Sequence, residues 1–174
     1  FYVTFWACIL MGIVPVPLSQ PSFEPGSLVL QKLYNIWEVL EHPLIIVEEK
    51  YLKYFKKLNG SSMFKDIVFF ANNERVSSSE ATVLHRAHEN DLAILQFSSG
   101  STGVPKGVAL SHKNIITNLL ATRDAFDINS EDKAFSWVPH THDMGLFLKY
   151  LTAVVAGNHI FVMTPMTFVR SPYL

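Results

Sequence analysis

The order of segments along the chain predicts an α/β fold, a mostly parallel sheet flanked by helices. Three observations carry this. Short apolar runs recur: "LIIV" (Leu44 to Val47), "DIVFF" (Asp66 to Phe70), "LAILQF" (Leu92 to Phe97), "AFSWVP" (Ala134 to Pro139) and "HIFVMT" (His159 to Thr164). Stretches with helical spacing lie between most of them. The turn-formers Gly12, Pro43, Gly60 and Gly157 stand at the ends of these segments. No internal repeat interrupts the pattern.

The opening run "FYVTFWACILMGIVPVPL" lacks the basic leading segment of a secretory signal. Pro15 and Pro17 break it before the roughly 20 apolar residues of a membrane span. It is expected to form a buried helix through Met11, a turn at Gly12 and a strand "IVPVPL". A buried helix beginning at Phe1 is unusual for a terminus, so the 174 residues read as a piece of a longer protein.

From Leu28 to Leu40 the apolar positions Leu30, Leu33, Tyr34, Trp37 and Leu40 predict a helix, ended by Pro43. "LIIV" then reads as a short buried strand. "EEKYLKYFKKL" places its acids first and its bases last, the order a helix dipole favours, with Gly60 to close it. "DIVFF" is the next strand, Ala71 to Asn90 a polar surface loop, and "LAILQF" a central strand. After the Ser/Gly-rich stretch, "GVAL" is another strand. Ser111 is placed to cap a helix from about His112 to Phe126. "AFSWVP" is a strand, "MGLFLKYLTAVVAG" a helix ended by Gly157, and "HIFVMT" a strand again.

With 49% hydrophobic and 17% charged residues the chain has the makings of a folded core. Its net charge of −1, with "KYFKK" as its main basic cluster, argues against a nucleic-acid surface. The single cysteine, Cys8, allows no internal disulfide and fits a reducing, cytoplasmic setting.

"QFSSGSTGVPKGVALSHKN", Gln96 to Asn114, holds three Gly and four Ser directly after a strand. Ligands of α/β proteins bind at the carboxyl ends of strands. Gly100, Gly103 and Gly107 permit turns that expose successive N–H groups to an anion. Ser98, Ser99, Ser101 and Thr102 add hydroxyl donors, and Lys106 adds a full positive charge. A polyphosphate uses such a donor set best, and a plain surface turn is the competing reading. The Walker pattern is not met, because Lys106 follows Pro105 and precedes Gly107. In "WVPHTHDMGLF", His140, His142 and Asp143 admit a metal reading, although the spacing departs from His-x-His-x-Asp-His. They also admit a strand-to-helix turn with Asp143 as the cap, which the spacing suits better.

"FSSGSTGVPKG", Phe97 to Gly107, resembles the phosphate-loop signature of the adenylate-forming superfamily, and "LSHKN" resembles its Leu-x-His-x-Asn. Pro139, His142, Asp143, Met144 and Gly145 are similar to the Pro-x-x-His-Asp-Met-Gly of its fatty acyl-AMP ligase branch. The early "IVPVPL" is also similar to that family's. The resemblance implies the front part of the large N-terminal AMP-binding domain over residues 1–174, with the small C-terminal domain absent. It implies ATP-dependent activation of a carboxylic acid, such as a fatty acid, to an acyl-adenylate. Acyl-CoA synthetases and amino-acid adenylation domains are the alternatives within the superfamily, and a non-catalytic nucleotide-binding remnant the one outside catalysis. Ser98, Ser99, Gly100, Ser101, Thr102, Gly103 and Lys106 are implied to hold the β- and γ-phosphates. His142 is implied to lie near the carboxylate and the α-phosphate, so that His142 and Lys106 are the implied catalytic residues. Mg²⁺ is implied with ligands outside this stretch, and CoA or an acyl carrier protein is the implied acceptor. Neither the family's Tyr-Gly-x-Thr-Glu segment nor its catalytic Lys is present in these residues.

Overall fold

The computed structural model describes residues 1–20, 23–24, 27–58, 69–71, 83–98 and 105–173. Two compact units hold them. The first takes in Phe1–Ala7, the described residues within Gln20–Leu84, and Pro105; the second takes in Cys8–Ser19, His85–Ser98 and the chain from Lys106 onward.

Helix α1 is Tyr2–Leu10, and the turn beyond it is at Gly12, with φ of +71°. That left-handed conformation costs glycine nothing, and an added Cβ would also meet the His85 ring at 2.7 Å. Two expectations fail in this segment. Phe5 is the buried residue of the helix, while Val3 is 85% exposed, so α1 is not a buried helix. No strand forms over "IVPVPL". Pro15 and Pro17 have no N–H to give a ladder, and Pro15 takes part through its carbonyl, which accepts from the Leu95 N–H at 3.2 Å.

In the first unit, α2 (Leu28–Val39) is capped by Ser27, whose hydroxyl accepts from the Leu30 N–H. Leu30 and Trp37 form a core with Leu33, Tyr34 and Ile45, at the helical spacing read from the sequence. The expected strand at "LIIV" is β1, Ile45–Val47, and it pairs in parallel with β2, Phe69–Ala71. It is not buried on both faces, since Leu44 and Ile46 stay exposed. Between the two strands, α3 (Glu49–Leu58) buries Phe55 against Phe23, edge to face at 5.0 Å. Gly60, the first part of "DIVFF" and most of the loop Ala71 to Asn90 lie outside the described residues.

The second unit begins its sheet with β3 (Leu92–Ser98), which pairs with β4 (Lys106–Ser111). This pairing is antiparallel, the exception in a mostly parallel fold, because seven residues joining two strands are too few for a crossover. Helix α4 (His112–Ala125) starts where Ser111 predicted. Asn114 completes a capping box: the Ser111 hydroxyl accepts from the Asn114 N–H, and the Asn114 carboxamide accepts from the Ser111 N–H. Strands β5 (Lys133–Ser136) and β6 (His159–Val162) are parallel and in register from Lys133 opposite His159 to Ser136 opposite Val162. With β1 and β2, two of the three described pairings are parallel, which keeps the α/β class.

The helix expected between β5 and β6 is present, but its first part has an unforeseen form. It is a π-helix over Met144–Leu151 that continues as α5, Thr152–Ala156. The Phe147 carbonyl accepts both the N–H and the hydroxyl of Thr152, five residues on, and so closes a wide turn. Such turns recur at functional sites. Gly157 ends the helix at φ +72°, and the Asn158 N–H reaches back to the Ala153 carbonyl. A short α6 (Pro165–Arg170), capped by Thr164 with Pro165 in its first turn, follows β6. Among the described residues no helix is long and apolar enough to cross a membrane.

Candidate active site

Ser98 and Lys106 are the last matched pair of the β3–β4 ladder. The chain therefore departs for, and returns from, residues 99–105 on adjacent strands. Both flanking side chains belong to exposed residues. One pair inward, Phe97 opposes Gly107, and a Cβ on Gly107 would lie 3.1 Å from the Phe97 ring. The ring, 8% exposed, thus occupies the space that glycine leaves and fixes the base of the hairpin end. Of the implied phosphate-binding residues, Ser99, Gly100, Ser101, Thr102 and Gly103 lie outside the described residues.

The segment after β5 is built by one hydroxyl contact and one carbonyl contact. Ser136 is buried, and its hydroxyl accepts from the Val138 N–H at 3.3 Å, where the strand stops. Pro139 then turns the chain: its carbonyl accepts from the His142 N–H at 3.0 Å. The same carbonyl presses on the start of the π-helix. A Cβ on Gly145 would stand 2.1 Å from the Pro139 oxygen, far inside van der Waals contact. Pro139, His142 and Gly145 are thus one backbone device, in which glycine is required by close approach.

His142 is exposed, and its carbonyl accepts from the Leu146 N–H at 2.9 Å, so it forms the first step of the helix. Its Nδ1 lies 2.5 Å from Asp143 Oδ1. The Met144 N–H is 3.4 Å from the same Nδ1 but 2.7 Å from Asp143 Oδ1. Nδ1 cannot both accept from Met144 and donate to Asp143. The shorter contacts decide: Met144 donates to Asp143, Nδ1–H donates to Asp143, and Nε2 is left for other chemistry. Asp143 is therefore the cap that its position suggested. Among the described residues no three His, Cys, Asp or Glu side chains are grouped to hold a metal ion.

Two contacts that the sequence reading assigned to no one hold Thr141, beside His142. Gln96 Nε2 donates to the Thr141 carbonyl at 3.0 Å, and the Ser19 and Thr141 hydroxyls are 3.1 Å apart. The available signal was a carboxamide within the apolar run "LAILQF". An open cleft of about 490 Å³ adjoins this turn at the carboxyl ends of β5 and β6. Its walls are mostly apolar, with Val138, Pro139, Val162, Met163 and Pro165 among them.

Comparison with known proteins places these features in a family. The family described as AMP-binding enzyme matches residues 1–173. The long-chain-fatty-acid–AMP ligase FadD32 of Mycobacterium marinum is 32% identical over 99% of this chain, which spans 27% of that protein. The medium-chain-fatty-acid–[acyl-carrier-protein] ligase JamA of Moorena producens is 29% identical over 99% of this chain and 30% of its own length. Among solved structures, McyG A-PCP complexed with phenylalanyl-adenylate aligns with a TM-score of 0.89 and 32% identity, over 97% of this chain and 27% of that one. The fatty acyl-adenylate ligase from L. pneumophila, in complex with acyl adenylate and pyrophosphate, aligns at 0.83 and 30% identity, over 97% and 28%. The chain thus spans under a third of the length of these relatives.

Proposed function

The chain belongs to the AMP-binding enzyme family, and from that premise we propose that it is the front part of an N-terminal AMP-binding domain whose whole protein activates a carboxylic acid to an acyl-adenylate. On this reading the small C-terminal domain lies outside residues 1–174. The single observation that carries the proposal is the Ser98–Lys106 pair, which sets a hydroxyl-bearing and an ammonium-bearing residue opposite each other at the two ends of a glycine- and serine-rich stretch. Donors in that arrangement suit the terminal phosphates of ATP.

In the reaction, a carboxylate oxygen of the acid attacks the α-phosphorus of ATP. The bond from that phosphorus to the oxygen bridging to the β-phosphate breaks, pyrophosphate leaves, and acyl-AMP remains. The obstacle is the approach of one anion to another, and fixed donors and cations lower it. Ser98, Ser99, Gly100, Ser101, Thr102, Gly103 and Lys106 are proposed to hold the leaving phosphates. His142, its Nδ1–H engaged by Asp143, is proposed to lie beside the carboxylate and gate its approach to the α-phosphorus. Mg²⁺, when bound, would neutralise phosphate charge, and its protein ligands are proposed to lie outside these residues. CoA or an acyl carrier protein is the proposed acceptor, and the cytoplasm the proposed setting.

The likeness to the long-chain-fatty-acid–AMP ligase and to the fatty acyl-adenylate ligase favours a fatty acid as the first reading. The likeness to McyG A-PCP favours an amino acid as the second reading. Acid-dependent exchange of labelled pyrophosphate into ATP tests the proposal in the full-length protein that carries this chain. Exchange with fatty acids supports the first reading and exchange with amino acids the second. No exchange with either class defeats adenylation and leaves a nucleotide-binding remnant.

A further inference from the structure

We propose that Gln96 is a positioning residue for acid activation, and that its carboxamide sets the His142 imidazole by holding the backbone of Thr141. The inference rests on the role proposed above for His142. Gln96 Nε2 donates to the carbonyl of the residue directly before His142, at 3.0 Å. The Thr141 side chain meets the Ser19 hydroxyl, so both parts of Thr141 are tethered. Gln96 stands two residues before Ser98 on β3, on the same face of the strand. One strand therefore bears a flank of the phosphate stretch and the tether of the His142 turn.

Energetics separate this from ordinary packing. Gln96 is half-buried, and its Oε1 is buried with no partner among the described residues. A desolvated, unpaired carboxamide oxygen costs stability. Methionine, of similar size, would fill the same place on an apolar strand without that cost. The orientation of the amide is also settled by chemistry: exchanging Nε2 and Oε1 would set two acceptor oxygens against each other. What the glutamine provides and methionine lacks is the donor to Thr141.

The test uses the full-length protein, with Gln96→Met to remove the donor at near-constant volume and Gln96→Asn to shorten it by one methylene. Both variants are expected to lower the maximal rate of acid-dependent pyrophosphate exchange about three- to tenfold. ATP affinity is expected to stay within about twofold. In a His142→Ala background, Gln96→Met is expected to produce no further loss, because the side chain it positions is gone. Both variants exchanging at the full rate would overturn the proposal. So would losses that multiply with that of His142→Ala, or a loss confined to ATP binding, since either assigns Gln96 a general structural role. A His142→Ala protein with full exchange defeats the underlying reading. Failure of the Gln96 proposal alone looks different: His142→Ala is slow and the Gln96 variants are not.

Discussion

Ser98 and Lys106 face each other as the terminal pair of an antiparallel ladder, within a fold whose other described pairings are parallel. The consequence is chemical. Two residues eight positions apart in sequence, one bearing a hydroxyl and one an ammonium, stand opposite each other at one end of the ladder.

Lys106→Ala in the full-length protein should weaken ATP binding by about 1.5–3 kcal/mol, the range for a hydrogen bond to a charged group. The fold should be unaffected, because Lys106 is exposed at a strand end. Calorimetric titration with ATP and a thermal melt read the two effects. Unchanged ATP affinity would remove the hairpin end from the phosphate site.

His142→Ala should slow acid-dependent pyrophosphate exchange more than it weakens ATP binding. The imidazole is exposed and tied to Asp143, so its loss leaves the Pro139 turn, made by backbone atoms, in place. A fall in ATP affinity equal to the fall in exchange rate would move His142 from the acid to the nucleotide.

Gly145→Ala should destabilise the protein by about 1–3 kcal/mol, the range for overpacking a filled site. The atom in the way is the Pro139 carbonyl oxygen, which as main chain cannot rotate aside. Adenylation should fall with it, because the same carbonyl holds the His142 N–H. Chemical denaturation measures the first effect. An unchanged midpoint would show that the turn and the π-helix can separate freely.

Residues 1–174 expressed alone should self-associate and show no pyrophosphate exchange. Phe135 and Phe161 are opposite each other on β5 and β6 and stay 42% and 57% exposed, beside the exposed Val162. Apolar strand surface of this kind promotes association. Light scattering and the exchange assay decide it: a monodisperse monomer with clear activity would contradict both parts.

The sequence by itself determined what local chemistry controls. Ser111 with Asn114 starts α4, Gly157 stops α5, and Gly12 turns the chain, because each depends on a side chain or a φ angle within a few residues. The spacing of Leu30, Leu33, Tyr34 and Trp37 foretold the core of the first unit. The Phe97–Gly107 and Pro139–Gly145 motifs were legible as a family resemblance, but not as contacts. Tertiary structure decided the rest. Strand direction in β3–β4 depends on what each strand meets, which periodicity does not record. The prolines of "IVPVPL" suppressed a strand that its apolar character favoured. The wide turn at which the Thr152 hydroxyl meets the Phe147 carbonyl is a contact that helical spacing does not foretell. The Gln96 tether joins residues 45 apart in sequence, and only the folded chain brings that donor to that carbonyl.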